Sequence, residues 1–389
     1  MSDNRRQPRY AAVLARLGEP DSRELLATPA LVCDLDLLKA NITRMATRTA
    51  SAGIKLRPHV KSHKSAYVAK LQLQAGAVGL AFAKLSEAEA VIGRLRTDGY
   101  NEHISALLTS PPVGMEAARR ATALAINCDL IVVVDSPGAV DELGLAANEA
   151  GGSLAVLCDV DVGLGRTGVA NATKALEVVE RIASKSALSF AGVQGYGGQL
   201  QHIVGHEARR AATNSSTMML TSVIDALEIA GFPVALRTGG GTGTATIDSE
   251  LGVLNELQCG SYVFMDREYR DALAGDREGA FHQSLTIATT VISSNQKGFV
   301  TVDAGLKSMA TDAGSPIVVG HEQESIYHFF GDEHGMVSTT PDWTWRRGDR
   351  LNLVPPHCDP TVDRYDVLWL VRGDVVVGVE DIVARGCSQ

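Results

Sequence analysis

The densest chemistry in the chain is a lysine set among imidazoles. Leu56-Arg-Pro-His-Val-Lys-Ser-His-Lys64 places three cations and two histidines within nine residues. It ends a segment, 54–60, that reads as a strand, so His59 and Lys61 fall on one face and Val60 on the other. A lysine drawn out of water at a strand end loses preference for its charged form and becomes a nucleophile. A second segment, Arg237-Thr-Gly-Gly-Gly-Thr-Gly-Thr-Ala245, follows another apolar strand. Consecutive glycines leave backbone N–H groups free to converge on an anion, and Thr242 and Thr244 add hydroxyls. No Lys-Ser or Lys-Thr follows, so this is not a nucleotide loop. Gly260-Ser-Tyr262 ends the next strand, and the last two loops of a barrel are a common phosphate cup. A nucleophilic lysine with a phosphate cup, and no Mg-nucleotide motif, points to pyridoxal phosphate.

Three further segments lie at strand ends. In Asp159-Val-Asp-Val-Gly-Leu-Gly-Arg-Thr-Gly168, Arg166 is placed to donate to a phenolate oxygen. In Gly192-Val-Gln-Gly-Tyr-Gly-Gly-Gln-Leu-Gln-His202, Tyr196 can pack on or donate to a ring, and His202 can serve as a base near neutral pH. Pro355-Pro-His-Cys-Asp-Pro360 sets His357 and Asp359 two residues apart. In an extended segment both face one way, which suits two ligands of one ion, with Cys358 turned toward the core. Imidazole plus carboxylate suits Mn, Zn or Mg.

The elements that must carry these residues alternate regularly. Apolar strands and amphipathic helices succeed one another from about residue 29 to 278, close to eight times. That is the signature of a (β/α)8 TIM-type barrel. No GxGxxG opens a helix after the first strand, which argues against a dinucleotide fold. From 279 to 389 the runs are β-like with Gly and Asp turns, giving a β-rich second domain that carries the metal pair; residues 1–28 form an N-terminal segment expected to pack against it. The 389 residues are 45% hydrophobic and 21% charged, an ordinary globular composition. A net charge of -9 without a basic run excludes nucleic acid as a natural partner. None of the six cysteines forms a CxxC pair, the N-terminus lacks the apolar stretch of a signal peptide, and no run is long enough to span a membrane. The expectation is a cytoplasmic protein.

Taken together, these segments resemble the fold-type III pyridoxal phosphate enzymes of the D-threonine aldolase, 3-hydroxyaspartate aldolase and D-serine dehydratase group. The resemblance runs from Thr28-Pro-Ala-Leu-Val-Cys-Asp-Leu-Asp36 to His357-Cys-Asp-Pro-Thr361. It includes Arg57-Pro-His-Val-Lys-Ser-His-Lys64, Gly239-Gly-Gly-Thr-Gly243, Asn255-Glu-Leu-Gln-Cys-Gly-Ser-Tyr262 and Val302-Asp-Ala-Gly-Leu306. It implies an alanine racemase-like barrel and β domain, paired in a homodimer. It implies that Lys61 carries the cofactor, with His59, Arg166 and Tyr196 beside it. Thr242, Gly260 and Ser261, with Thr238, Gly240 and Gly241, would hold the phosphate. His202 matches the base of the aldolase branch, and His357 and Asp359 match its divalent-metal pair.

One detail separates the branches. D-serine dehydratases of this group resemble His-x-Cys at the metal site, where thiolate selects zinc. Here a carboxylate stands second, which favours Mn or Mg over Zn. The expected reaction is metal-assisted retro-aldol cleavage of a D-3-hydroxy amino acid, D-threonine or similar, to glycine and an aldehyde. The alternatives are a dehydratase giving a 2-oxo acid and ammonia, a 3-hydroxy-D-aspartate aldolase giving glycine and glyoxylate, and a non-catalytic cofactor-binding barrel. A racemase would need a partner-chain tyrosine, for which no residue is identified.

Overall fold

The computed structural model describes residues 8–276, 281–340 and 344–389. The domain boundary expected at 278/279 and the first seven residues of the N-terminal segment lie outside them. Strand β1 (Ala30–Asp34) is buried along nearly its whole length, as its unbroken apolar run requires. The strand–helix alternation of the sequence places it first in the barrel. It lies instead in the second sheet, antiparallel to one neighbour and parallel to another. A run apolar on both faces suits the centre of either sheet, and composition alone does not choose between them.

The barrel is built by β2 (Lys55–Leu56), β3 (Leu80–Phe82), β4 (Ser105–Leu108), β5 (Asp129–Val134), β6 (Leu154–Asp159), β7 (Leu188–Gly195), β8 (Leu236–Gly239) and β9 (Glu256–Leu257). All pairings are parallel, in the order β2-β9-β8-β7-β6-β5-β4-β3. A parallel bridge between His59 and Ala81 closes the ring, supported by Val78 N–H to Leu56 O and Ala81 N–H to Pro58 O, both 2.9 Å. A helix follows each strand, from Ala66–Gln74 after β2 to Arg267–Ala272 after β9. Side chains alternate across the strands. Ala81, Leu107, Val133 and Leu157 pack together inside the ring, while Phe82, Leu108, Val132, Val134 and Val156 face the helices. On the interior, Arg57 Nε meets Glu256 Oε1 at 2.8 Å and its guanidinium also donates to Ser105 Oγ at 2.9 Å.

A bulge in β7 aims the site. Register against β6 slips between Phe190 and Gly192, and Gly192 sits at φ +144 with its missing Cβ against the Leu236 carbonyl. Only glycine fits there. The strand then delivers Tyr196 at the C-terminal rim.

The second sheet comprises β1 with β10 (Leu285–Ser293), β11 (Phe299–Val302), β12 (Ile317–Val318), β13 (Tyr327–Phe329), β14 (Gly335–Ser338), β15 (Arg350–Val354), β16 (Val367–Arg372) and β17 (Val375–Asp381). Its main order is β13-β14-β11-β10-β1-β16-β17, with β15 joining β10 to β12. Residues 8–26 cover one face: Tyr10 meets Trp369 edge-on at 5.0 Å, and Val13 and Leu26 pack with Val32, Val371 and Val376. Between β15 and β16 a one-turn helix, Cys358–Val362, projects toward the barrel mouth. No helix among the described residues is long and apolar enough to cross a membrane.

Candidate active site

Lys61 lies in a 3-10 turn, Val60–Ser62, rather than in the strand itself. The turn is held by His59, whose Nδ1 accepts the Lys61 N–H at 3.4 Å. That assigns the ring proton to Nε2, which donates to Thr109 Oγ1 at 3.2 Å; the Thr109 hydroxyl then donates to Phe82 O at 3.0 Å. Burial, reinforced by the Lys61 charge, holds His59 well below the usual histidine range, so it is a neutral buttress. Lys61 Nζ reaches 3.4 Å from Asp359 Oδ2 and 5.7 Å from the Tyr196 ring centre. The expectation of a depressed lysine is corrected here. Burial pulls its pKa down, but Tyr196 and the Asp359 carboxylate outweigh burial and raise it.

The glycine-rich turn after β8 faces the segment after β9. Gly240 adopts φ +66, and a Cβ there would press on the Asp248 carboxylate at 2.5 Å. Gly241 N–H donates to Thr244 Oγ1 at 3.2 Å and Gly243 N–H to Gln201 Oε1 at 3.0 Å, which makes the turn rigid. Thr242 Oγ1 accepts the Tyr262 N–H at 3.0 Å, so its own hydroxyl proton remains available to a further acceptor. A Cβ on Gly260 would sit 2.9 Å from His59 O, which shows how closely the lysine turn and this segment approach. Ser261 Oγ donates to Asp359 Oδ1 at 3.3 Å. Thr238 is fully buried and accepts from Gln258 Nε2 at 3.1 Å. The same amide donates to Gln194 Oε1 at 3.1 Å, and Gln194 Nε2 donates to Asp159 Oδ1 at 2.8 Å. Burial pushes the Asp159 carboxyl up to about 6.

Arg166 is presented by a turn built on Asp161, whose Oδ1 accepts the N–H groups of Gly163 and Gly165, each at 2.9 Å. Its guanidinium carbon lies 5.6 Å from the Tyr196 ring centre, so both Arg166 and Lys61 are within cation–π reach of the Tyr196 ring.

His202, His357 and Asp359 meet on the other side of the mouth. The helix Cys358–Val362 corrects the extended-strand argument: Asp359 occupies its first turn, and His357 is its extended N-cap residue. Cys358 is fully buried, takes its backbone hydrogen bond to Asp266 Oδ2 at 2.7 Å, and directs Sγ to Asp359 Oδ1 at 3.3 Å. Burial would raise the Asp359 pKa, but Lys61 and His357 lower it, so it is an anion. His357 Nδ1 pairs with Asp312 Oδ2 at 2.7 Å, and His202 Nδ1 pairs with Glu268 Oε1 at 3.2 Å. The two imidazoles stand 6.3 Å apart, and His202 also meets the Tyr269 ring edge-on at 4.5 Å. Burial, then the charge of His357, brings His202 down to about 4, so it is a neutral base at physiological pH. Its Nε2 is buried and has no hydrogen-bond partner among the described residues.

Lys61, Arg166, Tyr196, His202, His357 and Asp359 therefore share one mouth, with the 238–243 and 260–262 segments beside them. Sequence reasoning did not single out Glu268, Asp312, Gln194 or Gln258. Glu268 follows Asp266, which caps the helix Arg267–Ala272, and that cap was its one local signal. Asp312 lies in an irregular loop and gave none.

The donor set fits a pyridoxal phosphate group. It offers a primary amine at the rim, a tyrosine ring and guanidinium beside it, a threonine hydroxyl with a proton to donate, and glycines where any Cβ would intrude. It also fits an oxygen-preferring divalent ion through His357 and Asp359. Among the described residues no three metal-binding side chains are grouped, so water or substrate would complete the shell.

Residues 33–268 match the family model described as alanine racemase, N-terminal domain, and residues 284–371 match the putative serine dehydratase domain. The chain is 36% identical over 367 residues to the 3-hydroxy-D-aspartate aldolase of Paracoccus denitrificans (strain Pd 1222), spanning 93% of this chain and 92% of that one. It is 36% identical over 376 residues to the D-threonine aldolase of an Arthrobacter species, spanning 96% of each. The crystal structure of D-threonine aldolase from Filomicrobium marinum superposes with a TM-score of 0.90 at 32% identity, over 96% of this chain and 99% of that one. The chain belongs to the fold-type III pyridoxal phosphate enzymes of the D-threonine aldolase, 3-hydroxy-D-aspartate aldolase and serine dehydratase family.

Proposed function

We propose that this chain is a divalent-metal-dependent aldolase that cleaves a D-3-hydroxy amino acid, D-threonine or similar, into glycine and an aldehyde. The observation that carries the reading is the His202 imidazole. It is neutral, its Nε2 is buried without a partner, and it stands beside a His357–Asp359 pair. A buried ring nitrogen left unpaired costs free energy unless a ligand proton meets it. The 3-hydroxyl of the substrate supplies that proton. His202 removes it, the Cα–Cβ bond breaks, the hydroxyl carbon leaves as an aldehyde, and Cα takes up a proton to give glycine. Pyridoxal phosphate, carried by Lys61 and gripped by Thr242, Gly260 and the 238–243 turn, would supply the sink for the electron pair released at Cα. His357 and Asp359 would hold an ion that polarises the 3-hydroxyl.

The carboxylate at 359 supports Mn or Mg over Zn, since the adjoining thiol, Cys358, is buried and directed to Asp359. A homodimer and a cytoplasmic setting complete the proposal. Dehydration is the second reading, favoured by the serine dehydratase match at 284–371. Product analysis tests the proposal on D-threonine and on D-3-hydroxyaspartate. Glycine with acetaldehyde, or glycine with glyoxylate, is the expected outcome, and their relative rates identify the preferred 3-substituent. A 2-oxo acid with ammonia would overturn aldol cleavage in favour of dehydration.

A further inference from the structure

The geometry points to Glu268 as a positioning residue that fixes the tautomer and aim of His202. This rests on the aldolase reading above and deepens it. The helix Arg267–Ala272 acts as a bracket between base and metal pair. Arg267 N–H donates to Pro355 O at 3.1 Å, Glu268 N–H to Pro356 O at 3.2 Å, and Cys358 N–H to the Asp266 carboxylate at 2.7 Å. Three bonds thus tie the start of this helix to the 355–358 segment that carries His357. From the same turn, Glu268 reaches His202 Nδ1 at 3.2 Å and the Tyr269 ring meets the imidazole edge-on at 4.5 Å. The contact is at ion-pair distance, and a carboxylate oxygen so close to Nδ1 favours the ring proton there over a facing lone pair, which leaves the Nε2 lone pair bare. That bare Nε2 is the buried atom with no partner among the described residues. One short element therefore decides which nitrogen is basic, which plane the ring occupies, and how far it stands from His357.

The test uses holoenzyme carrying 15N-labelled histidine, with Glu268→Leu and Glu268→Gln beside the wild type. The ring-nitrogen shifts of His202 without substrate should show the proton on Nδ1 in the wild type. The leucine variant should move it toward Nε2 and lower kcat for glycine release at least about tenfold, with KM within about twofold, as loss of a tautomer-fixing carboxylate does elsewhere. The glutamine variant keeps the shape of the side chain, but its amide can donate to Nδ1, so it should also move the proton toward Nε2 and lower kcat. A wild-type proton on Nε2 would overturn the proposal. So would a slowed leucine variant whose His202 tautomer is unchanged, since its loss is then merely structural, and so would a moved tautomer with undiminished kcat. If the wild type released no glycine, the aldolase reading would fail, while the nitrogen shifts would still decide what Glu268 does.

Discussion

Asp359 is the most constrained side chain at the mouth. Its carboxylate takes Lys61 Nζ at 3.4 Å, Ser261 Oγ at 3.3 Å and Cys358 Sγ at 3.3 Å, and it faces His357. With a cofactor joined to Lys61 the free ammonium would be gone, which would leave the Asp359 carboxylate open to another cation. Asp359→Ala is expected to keep the visible absorbance of the Lys61-bound cofactor while losing about 100-fold or more of glycine release and any response to added Mn. Unchanged activity in that variant would remove the metal pair from the reaction. The residues that converge here were visible in the sequence because each lies in a segment of unusual composition at a strand end: clustered cations and imidazoles around Lys61, glycines around Arg166, Tyr196 and Thr242, and prolines around His357 and Asp359. Glu268 and Asp312 were not, because a surface-type carboxylate acquires its meaning only from the imidazole it faces. The raised pKa of Lys61 is illegible in sequence for a related reason: its burial follows from its place at a strand end, but the opposing carboxylate lies 298 positions away.

At the scale of elements, the short helices matter more than the long ones. The long helices announce themselves by period and cap, as Asp34 does by accepting the Asp36 and Leu37 N–H groups at the head of Leu35–Ser51. The one-turn helix Cys358–Val362 and the 3-10 turn at Val60–Ser62 are too short to leave a periodic trace, and both carry site residues. The helix Ala245–Leu251, which follows the phosphate turn, holds a buried carboxyl: Asp248 accepts from Thr244 Oγ1 at 2.6 Å, and burial pushes it up to about 7. A carboxyl whose folded pKa exceeds its unfolded value of about 4 favours folding only while protonated. Stability from this group is full below about pH 4 and is lost as pH rises toward 7. Asp248→Asn should therefore raise the melting temperature at pH 8 and leave it nearly unchanged at pH 4, the gain being on the order of 1–3 kcal/mol. Equal shifts at both pH values would contradict the assignment.

The whole molecule is two sheets sharing one mouth, and the sequence showed both kinds of sheet without their junction. Eight βα alternations implied the barrel, but β1 pairs in the other sheet, between β10 and β16. Its partners are more than 250 positions downstream, and no local pattern encodes a pairing of that range. The barrel interior is tied by a pair 199 positions apart. Arg57 and Glu256 are 5% and 1% exposed, and together with Ser105 they tie β2, β9 and β4 across the interior. Arg57→Met would strand a buried carboxylate and should cost about 3–5 kcal/mol in chemical denaturation. Adding Glu256→Leu should recover most of that loss; a single variant within about 1 kcal/mol of wild type would show that the pair is not needed.

The claim that joins these scales is that an ion at His357 and Asp359 works with His202 on the 3-hydroxyl. The most direct measurement is glycine release from D-threonine by enzyme stripped with a chelator and then refilled with Mn or Mg, with cofactor absorbance followed throughout. The account predicts that turnover is lost on stripping and returns with the metal while the cofactor stays in place. Turnover that continues undiminished in the stripped enzyme would contradict it.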